Sequence, residues 1–225
     1  MNRQDFLQKI DHTLLKPDAT RGQVEQTILY ARENKTASVC LHSSYVPMAA
    51  ELLKGTQVAV CTVVGFPSGA VSTYGKVKET EKAWEDGAQE IDMVLHLGAM
   101  KSGDYHYVLE DIKAVKNASG ALLKVIFENC CLSEQEIINA CGLCVEAGAD
   151  FVKTSTGFGL SGATVHDVAL MRAHIPPAMG LKAAGGIADL SSALSMLQAG
   201  ATRLGSSRTA ALLEEFDKRA SDASL

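Results

Sequence analysis

Asp92, Lys124, Lys153 and Lys182 sit inside short apolar runs, in EIDMVL, LLKVIFE, FVKTSTG and GLKAAGG. Such runs read as buried strands, and a charge within one is costly unless it is paired. In a barrel whose strands are covered outside by helices, the polar place left for these groups is the lumen mouth, where active sites lie. The chemistry lysines do there is addition to a carbonyl. An amine attacks only when unprotonated, and a second ammonium close by, or loss of hydration, disfavours the charged form. One of Lys153 and Lys182 is therefore expected to be a Schiff-base nucleophile and the other its electrostatic neighbour, with Asp92 moving protons. The iminium is itself the electron sink, so this chemistry requires no metal and no cofactor.

The elements that must position these groups alternate along the whole chain. Strands are predicted at 10–13, 38–41, 58–65, 90–95, 122–128, 151–156, 180–185 and 202–207, with amphipathic helical patterns between them. Several helices end in Gly-Ala before the next strand (Gly87-Ala88, Gly148-Ala149, Gly200-Ala201), the expected glycine stop signal. Eight such units predict an α/β fold of the (β/α)8 TIM-barrel type. An open doubly wound sheet is the second choice, and it lacks a GxGxxG loop after the first strands. The chain reads as one domain, 1–225, with a tail frayed from about residue 220.

Strand side chains alternate. Lys124 shares a face with Ile126 and Glu128, Asp92 with Val94, Lys153 with Ser155, Lys182 with Ala184, and Asp11 with Thr13. The opposite faces carry Val125, Phe127, Ile91, Met93 and Val152, which suit a helix layer. Asp11, Asp92, Lys124, Lys153 and Lys182 should therefore converge in the lumen. The competing explanation is a set of salt bridges that only holds the barrel closed. Buried ion pairs are often no more stable than apolar packing, so five charges in one place are better explained by chemistry.

A second half of the site is expected from glycines. Barrels often hold phosphate with the loops after strands 7 and 8. Here those loops carry Gly185 and Gly186, then Gly205, Ser206 and Ser207, and Gly157 follows strand 6. Glycine lets backbone N–H groups approach an anion, and a helix N-terminus adds a favourable dipole.

Composition narrows the classes of partner. A formal charge of -5, a pI of about 5.7 and no long basic run argue against a nucleic-acid partner. No apolar stretch approaches the roughly 20 residues of a membrane span, and MNRQDFLQKIDH lacks a signal-type apolar region, so a cytoplasmic location is expected. Six cysteines then read as free thiols. Cys141-x-x-Cys144 lies within a helical pattern, and a zinc site built from it with Cys130 and Cys131 is disfavoured. His12 reads as a structural strand residue. Trp84 and Ala83 are assigned to a helix packing face.

These segments carry a resemblance. IDHTLLKPDAT, VVGFP, EIDMV with GAMKSGDY, LKVIFE, FVKTSTGFG, KAAGGI and RLGSS occur in family order from residue 10 to about 207. They are similar to those of the deoxyribose-phosphate aldolase family of class I aldolases. The resemblance implies reversible cleavage of 2-deoxy-D-ribose 5-phosphate, a small phosphorylated sugar, to acetaldehyde and D-glyceraldehyde 3-phosphate, in deoxynucleoside catabolism. It assigns Lys153 as the Schiff-base lysine, Lys182 as its perturbing neighbour and Asp92 as proton donor or acceptor. Asp11 and Lys124 match supporting polar residues, and Cys40 the pocket cysteine. Gly185, Gly186, Ser206 and Ser207 match phosphate positions. A homodimer is a family-level expectation.

The chain departs from the pattern at Ala188, where Arg usually follows GGI, and Arg208 is expected to substitute. His42, Ser43 and Ser44 replace the usual Asn-Pro region, His96 a common Asn, and Ser68 a common Leu. The alternatives kept are a sister class I aldolase for another phosphorylated sugar and a barrel that binds a sugar phosphate without turnover.

Overall fold

The computed structural model describes residues 1–222. Helix α1 (Arg3–Leu7) precedes eight strands: β1 (Ile10–Leu14), β2 (Ser38–Leu41), β3 (Ala59–Val64), β4 (Glu90–Val94), β5 (Leu122–Ile126), β6 (Phe151–Lys153), β7 (Gly180–Ala184) and β8 (Arg203–Ser206). The connecting helices are α2 (Arg21–Asn34), α3 (Val46–Leu52), α4 (Thr73–Glu85), α5 (Leu97–Lys101), α6 (Tyr105–Asn117), α7 (Glu134–Glu146), α8 (Val165–Ala173) and α9 (Leu190–Gln198). After β8 comes α10 (Thr209–Asp222), which continues past residue 220, where fraying was expected. The rest of that tail, 223–225, lies outside the described residues. All strands pair in parallel in sequence order, and β8 returns to β1, so the sheet is a closed (β/α)8 barrel.

Local sequence sets the element ends. Thr20, Ser133 and Asp189 open α2, α7 and α9 with reciprocal capping boxes. Gly87, Gly148 and Gly200 take positive φ just past α4, α7 and α9. The alanine after each donates back five residues, Ala88 to Ala83, Ala149 to Cys144 and Ala201 to Met196. This is the Schellman closure that the Gly-Ala signal predicts.

The two strand faces build different interiors. Outward side chains such as Ile91, Met93, Val125, Phe127 and Val152 join the large core under the helices. The lumen holds a small apolar cluster of Leu15, Cys40, Cys61 and Val63, and much of the rest of its filling is charged.

Six strands, β3 to β8, are shorter than expected, and the ends of β5 and β6 have clear causes. β5 stops at Ile126, and Glu128 turns away in the left-handed conformation, φ 53°. β6 stops at Lys153, because the Thr154 hydroxyl takes over the ladder, donating to Ala184 O (3.2 Å) and accepting from Ala184 N (3.1 Å). Trp84 also differs from its expected place. Ala83 occupies the inward position of α4, and Trp84 is 44% exposed, with its ring against Gly120.

One buried ion pair lies outside the lumen. Lys76 on α4 and Asp111 on α6 meet at 2.6 Å with neither side chain exposed. Lys76 Nζ also donates to Val94 O (2.9 Å), which ties both helices to the end of β4. Removing one partner strands a buried charge, whereas removing both does not. Lys76→Met should lose about 3–5 kcal/mol in urea unfolding, and Lys76→Met with Asp111→Leu should recover most of that. A single-variant loss below about 1 kcal/mol would show that the pair contributes no more than a surface contact.

Candidate active site

The barrel register sets the charges beside one another. Asp92 pairs with Lys124 across β4 and β5, and Lys153 pairs with Lys182 across β6 and β7. Asp92 is the hub. Its Oδ1 accepts from Lys124 at 2.7 Å, and its Oδ2 accepts from both Lys153 (2.8 Å) and Lys182 (2.7 Å). Lys182 Nζ also lies 2.5 Å from Asp11 Oδ2, an ion-pair contact outside hydrogen-bond alignment. All five residues that alternation assigns to the lumen are buried there.

The structure adds two charges that the sequence reading missed. Glu90 sits 2.6 Å from Lys124, and Arg203 reaches Asp11 at 2.6 Å and Glu90 at 3.3 Å. Both were legible in principle, since Glu90 lies two residues before Asp92 and Arg203 two before Gly205 on the same strand faces. Beneath them the Arg203 guanidinium lies over the Phe151 ring, 5.6 Å from its centroid. That ring fills the space where a Gly180 side chain would stand. Higher up, a Cβ on Gly205 would fall 3.1 Å from Lys182 Cε, so glycine there leaves the lysine its room.

Burial alone would neutralise these groups, and their pairing reverses that. Desolvation opposes charge on Asp92, but Lys124, Lys153 and Lys182 hold its carboxyl well below the usual range. Asp11 is held low by Lys182, Lys124 and Arg203 against the same burial penalty. Desolvation likewise opposes charge on Lys182, yet Asp11 and Asp92 keep its ammonium above the ordinary lysine value. Lys124 is raised in the same way, chiefly by Asp92 among its partners. Cys61 donates to Asp92 Oδ1 (3.2 Å) and is pushed up by burial. Its partner Cys40 is drawn down by the hydrogen bond between the two thiols.

Above the hub a cavity of about 400 Å³ opens at the C-terminal ends of the strands. Lys153 lines it, together with Gly157, Gly185, Gly186, Gly205, Ser206 and Ser207. The structure thus brings Lys153 and every glycine and serine of the expected phosphate half into one space. Asp92, Lys182, Asp11, Lys124 and Cys40 do not line it and lie below. Gly185 and Gly186 both take positive φ, 82° and 74°. Lys16 and Arg208 also line the cavity, and both are exposed. Lys16 was missed because it lies past the strand in a Pro-Asp loop. The loop after β6 is held by Glu128, which accepts from Thr156 N at 3.3 Å and from the Thr156 hydroxyl. Phe158 lines the cavity and meets Phe66 edge-on at 5.4 Å, and Phe66 in turn meets His42 at 6.1 Å.

Two groups of potential metal ligands occur among the described residues, Cys40/Cys61/Asp92 and Asp11/Cys61/Glu90. Both lie inside the ammonium cluster, so a cation there would face Lys124 and Lys182.

A closed (β/α)8 barrel with lysines and a carboxylate beneath a glycine-lined cavity is the frame of a barrel lyase working on carbonyls. The model of the DeoC/LacD family aldolases matches residues 6–216. A deoxyribose-phosphate aldolase of Brevibacillus brevis is 54% identical over 199 residues, covering 88% of this chain and 90% of that one. One from a Geobacillus species is 53% identical over 207 residues, covering 91% and 93%. Among solved structures, the tetrameric deoxyribose phosphate aldolase of Aeropyrum pernix superposes with a TM-score of 0.89 at 31% identity, covering 97% of this chain and 93% of that one. The chain belongs to the DeoC/LacD aldolase family.

His12 is placed outside the reacting cluster. Its Nδ1 is 2.8 Å from Thr209 Oγ1 at the start of α10, its ring lies 4.9 Å from Tyr30, and burial pushes it down to about 4. The folded chain keeps this imidazole neutral, so the unfolded chain binds the extra proton between pH 6.5 and 4. Stability from this group is present above pH 6.5 and is lost as pH falls towards 4, by about 3 kcal/mol. His12→Asn should flatten that part of a pH series of urea midpoints, and parallel curves for the two chains would refute the assignment.

Proposed function

We propose that this protein is a class I aldolase that reversibly cleaves 2-deoxy-D-ribose 5-phosphate into acetaldehyde and D-glyceraldehyde 3-phosphate. The observation that carries this reading is the position of Lys153. It is the lysine of the cluster that lines the cavity, and it shares one carboxylate oxygen with Lys182. The names of the relatives supply the substrate.

In this reading Lys153, as the free amine, adds to the C1 aldehyde of the open-chain sugar and loses water to give an iminium. A relay through Asp92 and Lys182 takes the proton of the C3 hydroxyl. The C2–C3 bond breaks, its electrons enter the iminium, and D-glyceraldehyde 3-phosphate leaves. The enamine is then protonated at C2 and hydrolysed to acetaldehyde. Lys182 is the ammonium beside the nucleophile and passes protons within that relay, with Asp11 and Lys124 fixing the carboxylate geometry and Cys40 packed below the pocket. The phosphate is placed among the backbone of Gly157, Gly185, Gly186 and Gly205 and the hydroxyls of Ser206 and Ser207. Arg208 and Lys16 supply the cations that Ala188 does not. One domain, a homodimer and a cytoplasmic location complete the reading. Among the described residues no helix is long and apolar enough to cross a membrane.

Borohydride trapping with 2-deoxyribose 5-phosphate, followed by peptide mass spectrometry, tests the nucleophile. A reduced adduct is expected on Lys153, and Lys153→Leu should fold but turn over at background. An adduct on Lys182 alone would reverse the two roles. Asp92→Asn should lower kcat by about 10²–10⁴-fold. Arg208→Ala and Lys16→Ala should each raise KM for the phosphorylated sugar about 10- to 100-fold, the worth of one charge-assisted hydrogen bond. Unchanged KM in both variants would leave the phosphate to the backbone and serines alone.

A further inference from the structure

We propose that Cys130 and Cys131 form a two-thiol capture site for monosubstituted trivalent arsenicals, and that filling it disables the substrate loop beside it. The two cysteines lie in the short 3₁₀ turn Asn129–Cys131 that follows β5. Their sulfurs are 4.0 Å apart. Cys131 is exposed and Cys130 half-buried, while Cys40, Cys61, Cys141 and Cys144 are all buried. This is therefore the thiol pair among the described residues that a reagent in solution can reach.

Geometry and coordination number select the ligand. Adjacent residues have Cα atoms about 3.8 Å apart, shorter than the roughly 4.4 Å minimum of an ordinary disulfide, so direct oxidation to a bridge is strained. Zinc seeks four ligands, and neither carboxylate–thiol cluster of this chain includes these two cysteines. An arsenical that keeps one organic group needs two sulfurs and no more, and soft thiolates suit it. The reaction is R–As(OH)2 with two Cys S–H groups giving R–As(S-Cys)2 and two water molecules. Two As–O and two S–H bonds break, two As–S bonds form, and arsenic stays trivalent, so no oxidant is required. Burial and Cys130 hold the Cys131 thiol above its ordinary value. Single-thiol attack is slowed accordingly, and the chelate supplies the affinity.

The site is coupled to the cavity through contacts with no slack. A Cβ on Gly159 would fall 2.9 Å from Cys130 Sγ and 2.9 Å from Glu128 Cδ. Cys130 Sγ lies 3.9 Å from Glu128 Oε1. Glu128 holds Thr156 by its N–H and hydroxyl, and the Thr156 hydroxyl accepts from Phe158 N at 3.0 Å. Thr156, Gly157 and Phe158 line the cavity with Lys153. An arsenic atom and its organic group on Cys130 add bulk beside Gly159 and Glu128, and displacement of either releases this loop.

The test is equimolar phenylarsonous acid with excess monothiol present, read by intact mass spectrometry on the full chain. One phenylarsenic per chain is expected, removable by a dithiol and absent from Cys131→Ser. The labelled chain should show KM for 2-deoxyribose 5-phosphate raised at least tenfold, whereas Cys131→Ser keeps its basal activity and ignores the reagent. Absence of an adduct, or an adduct that persists in Cys131→Ser, overturns the site. An adduct with unchanged KM overturns the coupling. The activity arm rests on the proposed substrate, so hydrogen exchange of residues 154–160 provides a second readout. Faster exchange in the labelled chain supports the coupling and unchanged exchange overturns it, even if the unlabelled chain fails to cleave the sugar and the substrate assignment falls.

Discussion

The arrangement of the lumen depends on the Asp92 carboxylate, which Lys124, Lys153 and Lys182 all contact within 2.8 Å. The buried cluster holds four cationic side chains, Lys124, Lys153, Lys182 and Arg203, against three carboxylates, Asp11, Glu90 and Asp92. It therefore carries one positive charge more than its acids can match. Lys124 and Lys182 each contact at least two carboxylates, and Lys153 contacts one that it must share. In the proposed mechanism the surplus disappears when Lys153 becomes the neutral amine. The same network that closes the barrel thus leaves its charge unbalanced at the residue facing the cavity. That is a reason to retain so many buried ions where apolar packing would be at least as stable.

Much of this was legible from alternation alone. A period of two places Asp92, Lys124, Lys153 and Lys182 on one face, and the Gly-Ala stops mark where three helices end. The resemblance then ordered the lysines, which the strand pattern could not, because Lys153 and Lys182 are equivalent by register. Glu90 and Arg203 are less visible because each sits at or next to the start of a strand, where a charge reads as a solvated end. Lys76 and Asp111 lie in helical runs rich in charge. Only the packing of α4 and α6 over the end of β4 makes them a buried pair, and no local pattern reports that. Glu128 reads as a strand residue because its spacing from Lys124 continues the alternation. Its left-handed backbone instead turns the carboxylate towards Thr156.

Two of the departures from the family pattern, Ala188 and Arg208, line the cavity. Ala188 lies in its lining where a guanidinium is usual, and Arg208 and Lys16 border the same space from other loops. His42, in place of the usual Asn, donates from Nε2 to Leu15 O at 2.9 Å and adds its ring to the Phe66–Phe158 contact. The lysine floor keeps the family pattern, while the cavity rim carries Ala188, Arg208 and Lys16.

The loops after β6 and β7 touch backbone to backbone. A Cβ on Gly162 would fall 2.2 Å from Gly185 O, and Ala163 N donates to both Ala184 O and Gly185 O at 3.1 and 3.0 Å. The loop carried by the Lys153 strand and the first glycine loop of the cavity are therefore stitched into one body. That contact sets their separation. Under the proposed function the molecule would carry a ruler, with an amine at one mark and an anion cradle at the other. It would select a sugar by the number of carbons between aldehyde and phosphate before any hydroxyl is inspected.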